Sequence, residues 1–566
     1  MVETLTAALL HAAERFPDRG VGIYDGRGRS VERRTYEEIV RSARESGARL
    51  QAMGLGRGDR LLVCLPTSWE WMDAWMGALL LGALPVALSP PGAMGSSAGH
   101  TRRVAAIRRN LGGRVIAPEN LRDGARQLAA EPDGDDEGAC LELATSVVTP
   151  EELRSLPQAR DFRPHHPDPE EVAFLQLTSG STGIPRAVKI RHLSAVHNGD
   201  ASDEAIGRPW NGRTSSWADS MASWLPLHHD MGLVGCLFLC ITRGLDLWLL
   251  NPTTFLARPR LWLENLGRHG VTFAPAPNFG YQLCAERIEP AELRGLDLSR
   301  WRAAMTGAEM VRPETVAAFC ELTRSCGFSP SNIRPCYGLA EATLAVTFDT
   351  AGQGLRTRPL PAGADSGLGL SDVACLGRPI RDTEVVVAAP DGSALPEEFV
   401  GEILIRGPGV FAGYWQDPEA TAESLVDGWL HTGDLGFLKE GELYLTGRTK
   451  DVLILRGHNL MPHELEWLAE EAAGGGGSLR SGAFSVARGP EGEEAVIVVE
   501  TAEKEGGALG DLARDIRLRV AHGLSLTLAD VVFVRRGKIP KTTSGKVQRR
   551  ELRQRYLDGT LERLKT

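Results

Sequence analysis

The chain has 566 residues, too many for one hydrophobic core, so about two to four domains are expected. Hydrophobic residues make up 42% and charged residues 24%, an ordinary globular balance that excludes a disordered or fibrous protein. The net charge of −10 excludes the basic face that a nucleic-acid partner requires.

The first sixteen residues, "MVETLTAALLHAAERF", read as a short amphipathic helix and not as a secretory signal. "YEEIVRSARESGARLQAMG" has helical spacing and ends at a glycine. "DRLLVCLP" is a short apolar strand, followed by a helix over about 68–84. The most membrane-like stretch, residues 74–95, is interrupted by Pro85 and by Pro90-Pro91. It predicts a buried helix followed by a buried strand, with no membrane span. The alternation of helix and strand predicts an α/β layer with a largely parallel sheet. It continues from residue 167 to about 447, apart from a loop at 349–372 that reads as structureless. In the last 120 or so residues "DVLILRG", "GAFSVA", "EAVIVVE" and "ADVVFVRR" are strand-like. The helix of "LGDLARDIRLRVAHG" has Leu509, Leu512, Ala513, Ile516 and Val520 on one face. The expected organisation is a large N-terminal domain of layered sheets and helices, 1–449, and a small α+β C-terminal domain, 450–566. Nine cysteines without a CxxC pair read as reduced thiols of a cytoplasmic protein, neither a disulfide framework nor a zinc site.

The stretch "FLQLTSGSTGIPRAVKI" (174–190) follows a strand predicted over 173–177. Gly180 and Gly183 let backbone N–H groups converge on an anion, and Thr178, Ser179, Ser181 and Thr182 add hydroxyls. It lacks the Gly-Lys-Ser/Thr of a P-loop. By itself it is either a phosphate cradle or a plain turn between strands. His228, His229 and Asp230 in "WLPLHHDMGLVG" invite a metal reading, but no further ligand set accompanies them.

Taken together, five ordered segments resemble the adenylate-forming superfamily of acyl-CoA synthetases, luciferases and peptide-synthetase adenylation domains. They are "LTSGSTGIPRAVKI", "CYGLAEAT" (336–343), "GWLHTGDLG" (428–436), "GRTKDVLILRGHN" (447–459) and "PKTTSGKVQRR" (540–550). "LHHDMGLVG", "APNFGYQLCAERI" and "TGAEMVRPETV" are most similar to its fatty acyl-AMP ligases. The resemblance implies ATP and Mg²⁺, and the activation of an aliphatic carboxylic acid to an acyl-AMP with release of pyrophosphate. It implies phosphate contacts from the 178–183 loop and Arg186, and an adenine site lined by Gly307, Ala308, Glu309, Tyr337, Gly338 and Leu339. Asp434 and Arg448 are implied on the nucleotide, Glu341 as the Mg²⁺ ligand, and Lys546 between carboxylate and α-phosphate. His229 is implied at the reaction centre, with Asp230, Met231, Gly232, Asn278 and Phe279 about the acyl pocket. Lys450 is implied as the hinge on which the small domain rotates between two half-reactions.

The chain departs from common patterns at Arg186 and Ala187, where many relatives carry Lys-Gly, and at Ala340, where many carry Thr. The 349–372 loop is shorter than the insertion usual among fatty acyl-AMP ligases. The thiol acceptor is therefore open between an acyl carrier protein and CoA, the latter making the chain an acyl-CoA synthetase. A third reading is a non-catalytic nucleotide-binding subunit; retention of Glu341 and Lys546 argues for the enzyme.

Overall fold

The computed structural model describes residues 2–91, 97–130, 137–178, 185–207, 219–361, 372–455, 458–473, 480–487, 493–501, 507–524, 526–541 and 547–565. Ser68 starts the helix Trp69–Leu81 by accepting the Trp71 N–H (3.2 Å), and Gly82 at φ 77° ends it. Nearly every face of this helix is buried, which is why its sequence carries no amphipathic period. It crosses Tyr36–Ala52 at two glycines; a β-carbon on Gly77 would lie 2.8 Å from the Gly47 nitrogen, so a Gly77→Leu change would push the helices apart. Trp71 stacks on Trp75, and Trp75 packs edge-on against Phe174 at 5.7 Å. Each such fully buried side chain contributes about 1.5–3 kcal/mol. Phe174 belongs to the strand Val172–Leu177, so this packing fixes the strand that delivers Thr178.

Among the described residues that strand lies in a six-stranded sheet, ordered Val147–Val148, Arg114–Ile116, Arg60–Val63, Leu84–Ala87, Val172–Leu177, Ala187–Arg191. All its pairings are parallel except the last, where Leu177 opposes Ala187. A nine-stranded sheet stands beside it. Its central run, Ile333–Gly338, Ala303–Thr306, Phe273–Ala276, Ser220–Ser223, Asp246–Leu249 and Gly20–Tyr24, is parallel. The segments that follow these strands carry the 307–309, 278–279 and 228–232 residues, the expected place for a site in an open parallel sheet. An antiparallel sheet built on Gly401–Arg406, Trp429–Lys439 and Glu442–Arg448 supplies the remaining wall.

Residues beyond 452 build cores of their own. Ser481–Ala487, Glu493–Thr501 and Leu528–Arg535 form a sheet, covered on one side by Pro462–Ala472 and Gly507–Leu524. Leu509, Ile516 and Val520 are buried there and Leu512 and Ala513 are partly buried, as the spacing predicts. The helix over residues 68–84 is shorter than expected, because Leu84 already starts the next strand. The 349–372 loop is not structureless: Thr357–Arg358 pairs antiparallel with Val373–Ala374, and Arg356 bridges to Glu442 (2.8 Å) and Asp349. Among the described residues no helix is long and apolar enough to cross a membrane.

Candidate active site

The strand Val172–Leu177 and its partner Ala187–Arg191 close at their tip through Thr178 N–H donating to the Arg186 carbonyl (2.9 Å). Thr178 and Arg186 therefore stand at the two feet of the glycine-rich loop. Ser179, Gly180, Ser181, Thr182 and Gly183 lie outside the described residues. Arg186 is half exposed, 3.4 Å from the Asp417 carboxylate and 5.2 Å over the Tyr414 ring.

Tyr414 links this corner to Glu341. Its phenol donates to Glu341 Oε1 at 2.8 Å. Glu341 sits in a one-turn 3₁₀ segment, Ala340–Ala342, held from both ends. Its carbonyl accepts the Phe411 N–H (2.8 Å), and Thr343 takes a left-handed φ of 68° while its hydroxyl donates to the Gly409 carbonyl. Gly338 is obligatory: a β-carbon there would fall 1.8 Å from the Leu344 carbonyl oxygen. Burial raises the Glu341 pKa, opposed by the Tyr414 hydrogen bond. Among the described residues no Lys or Arg forms a close ion pair with Glu341; the Arg448 charge acts on it only from further away. A hard divalent cation fits that donor. Among the described residues a three-ligand cluster is formed by Asp349, Cys375 and Glu442, whose carboxylates are already paired with Arg356. His228, His229 and Asp230 form no such cluster among the described residues.

Asp434 is buried and gripped twice. Tyr337 donates to Oδ2 at 2.7 Å, and Arg448 Nε lies 2.7 Å from Oδ1. Asp434 and Arg448 are register partners across a β-hairpin, which is how residues fourteen apart come to face one another. Just past the strand neighbouring that of Tyr337, Ala308 holds φ 68°, and Gly307 approaches Cys336, next to Tyr337, too closely for a side chain. Glu309 accepts the Phe279 N–H (2.5 Å), and Asn278 accepts the Arg312 N–H (3.0 Å), locking two loops together.

His229 Nδ1 lies 2.7 Å from Asp230 Oδ1. Asp230 opens a short helical turn that runs into a π-helix, Leu233–Phe238. Gly232 is pressed against the Pro226 carbonyl, where a β-carbon would lie 2.4 Å away. His228 lines the same cavity as His229, and desolvation pushes its pKa down to about 3.

One cavity of about 790 Å³ is lined by Thr178, Arg186, His229, Asp230, Met231, Asn278, Gly307, Ala308, Glu309, Tyr337, Gly338, Leu339, Glu341, Asp434, Arg448 and Lys450. An apolar arm of the same cavity is lined by Ile206, Gly235, Leu239, Leu344 and Phe348. Gly232 and Phe279 do not line it; Phe279 packs edge-on against Trp224 at 5.5 Å. Lys546 lies outside the described residues, but Val547 and Gln548 line the cavity. Sequence reasoning missed Tyr414, Arg312 and the apolar-arm residues; "FAGYWQD" offered an aromatic at the right place, but only the fold brings it to Glu341.

The AMP-binding enzyme family matches residues 9–415. A putative acyl-CoA synthetase of Caulobacter vibrioides is 34% identical, over 98% of this chain and 96% of its own. The medium-chain-fatty-acid–[acyl-carrier-protein] ligase JamA of Moorena producens is 32% identical, over 93% of this chain and 90% of its own. A structure from a study of fatty acyl-adenylate ligases of E. coli and L. pneumophila superposes with a TM-score of 0.86 at 29% identity, covering 98% of each chain.

Proposed function

This chain belongs to the AMP-binding family of enzymes, and on that premise we propose that it activates an aliphatic carboxylic acid with ATP. A carboxylate oxygen attacks the α-phosphorus, the bond from the α-phosphorus to the bridging oxygen breaks, and pyrophosphate leaves. The phosphopantetheine thiol of a carrier protein then attacks the acyl carbon, the acyl carbon–oxygen bond to the phosphate breaks, and AMP leaves with a thioester and a proton as the other products. The observation that carries this reading is a single cavity joining the Asp434–Tyr337–Arg448 and Glu341–Tyr414 groups to an apolar arm.

Asp434, held by Tyr337 and Arg448, accepts hydrogen bonds from the ribose hydroxyls. Gly307, Ala308 and Glu309 line the adenine together with Tyr337, Gly338 and Leu339. Thr178, Arg186 and the 179–183 loop hold the departing pyrophosphate, and a planar guanidinium suits a forked contact to phosphate. Glu341 would hold Mg²⁺, which supplies positive charge to the phosphate oxygens. His229 and Asp230 stand where carboxylate and α-phosphate meet, with Met231, Asn278 and the apolar arm receiving the acyl chain. Lys546 neutralises the two approaching anions there, a compact ammonium between two oxygens.

We place a domain boundary between 449 and 450 with Lys450 as the hinge. The separate cores beyond 452 support this, as does the bridge from Asp451 to Arg549 (3.2 Å), which ties the residue after Lys450 to the small domain. All nine cysteines are free, which suits a reducing, cytoplasmic setting. A carrier-protein acceptor is favoured by the likeness to an acyl-carrier-protein ligase. The test is acyl transfer after activation, with holo carrier protein and CoA compared. Rapid acylation of CoA by this chain alone would overturn the acceptor assignment.

A further inference from the structure

We infer that Arg312 is a positioning residue for the catalytic-lysine loop, acting through Glu470 and the helix Pro462–Ala472; this rests on the proposed adenylation chemistry. Arg312 ends the segment that carries Gly307–Glu309, and its N–H is fixed on Asn278. Its Nη1 lies 2.7 Å from Glu470 Oε2, and its guanidinium sits 5.0 Å over the Trp467 ring. The other Glu470 oxygen accepts the Ser481 hydroxyl at 3.0 Å. Both charged side chains are only about 15% exposed (15% and 14%), so this is a desolvated, geometrically defined pair unlike the protein's many surface ion pairs.

The same helix carries Glu466 one turn earlier, and both Glu466 oxygens accept from Arg549, each at 2.8 Å. Arg549 stands three residues after Lys546. A continuous set of contacts therefore runs from the nucleotide-lining segment through Arg312, Glu470, the helix and Glu466 to Arg549, three residues beyond Lys546 in sequence. Arg480 on Phe279 (5.7 Å) is a second contact across the same seam. In this arrangement Val547 and Gln548 face the cavity that Glu341 and Asp434 line. Arg312 holds the small domain in the orientation that serves activation, and it is not needed once the acyl-AMP exists.

The test uses the full chain, unmodified and as Arg312→Met, Arg312→Lys and Glu470→Gln, with dodecanoic acid as the probe. The expected result is that Arg312→Met and Glu470→Gln each lower the kcat of acid-dependent pyrophosphate–ATP exchange by about tenfold, with KM for ATP changed by less than about twofold. The double variant loses no more than either single one, and Arg312→Lys recovers part of the rate. Transfer from supplied dodecanoyl-AMP to a holo carrier protein is undiminished. Amide hydrogen exchange across residues 445–455 rises in the Met and Gln variants, a readout independent of activity. Unchanged exchange kinetics and unchanged amide exchange overturn the inference. So does a parallel fall of activation and transfer with a lowered melting temperature. If the unmodified chain activates no acid while amide exchange responds as expected, the domain contact stands and the catalytic reading falls, taking the positioning role with it.

Discussion

Tyr337 and Asp434, 97 residues apart in sequence, meet in a 2.7 Å hydrogen bond from phenol to carboxylate at the back of the cavity. Burial holds the phenol protonated, and Arg448 occupies the second carboxylate oxygen, so Asp434 is fixed before any nucleotide arrives. Tyr337→Phe removes that fixing bond but leaves the ring. The expected outcome is a rise of about 5–10-fold in KM for ATP, the size of one hydrogen bond, with kcat little changed. Asp434→Asn raises it further. Steady-state exchange kinetics measure both.

Glu341 is raised in pKa by burial and brought back by Tyr414. The ionised carboxylate is the form that serves the metal, so losing the Tyr414 bond raises the pKa further. Tyr414→Phe is expected to move the acid limb of the exchange–pH profile to higher pH. Glu341→Gln is expected to lower exchange by about 10²–10³ and to flatten its response to added Mg²⁺.

Arg186 is half exposed and tethered loosely, at 3.4 Å, to Asp417. It is free to turn to an incoming phosphate. Arg186→Ala is expected to raise KM for ATP by about tenfold and to leave KM for the acid unchanged. Unaltered ATP dependence would remove Arg186 from the phosphate site.

Ile206, Leu239 and Phe348 are among the apolar residues that line the cavity. Ile206→Trp fills that space. Activation of long acids is expected to fall by about tenfold or more while short acids keep their rate, read from exchange with a chain-length series.

His192 links fold and pH. It is buried, accepts the Leu5 N–H at Nδ1 (3.2 Å), and burial lowers its pKa to about 4. The unfolded chain takes up a proton near pH 6.5 that the folded chain refuses. Stability is therefore full above about pH 6.5 and falls as pH drops toward 4, by on the order of 3 kcal/mol from this group. His192→Gln is expected to flatten the melting temperature against pH over that interval.

Much of the fold was legible because its signals are local. The alternating helix and strand segments, the apolar strand before Thr178 and the spacing of Leu509, Ile516 and Val520 are each visible within a short window. The site residues were legible only through their joint order, since Glu341 alone reads as a solvated helix charge and Asp434 alone as a turn cap. The cavity does gather most of them. What escaped had no local period. The two-residue strands Thr357–Arg358 and Val373–Ala374 are too short to alternate, and Arg356, not propensity, holds them. The π-helix Leu233–Phe238, which follows a Gly232 pressed against Pro226, has no periodic signal in the sequence. Tyr414 to Glu341 and Arg312 to Glu470 are contacts between distant segments, decided by packing of the whole chain.

The central claim, acyl-AMP formation, is tested most directly by exchange of labelled pyrophosphate into ATP across a panel of aliphatic acids with Mg²⁺. The account predicts exchange that requires an acid, favours apolar chains and is lost by about 10²–10³ in Lys546→Ala. Exchange absent with every acid despite demonstrated ATP binding, or acid-dependent formation of ADP in place of AMP, would contradict it.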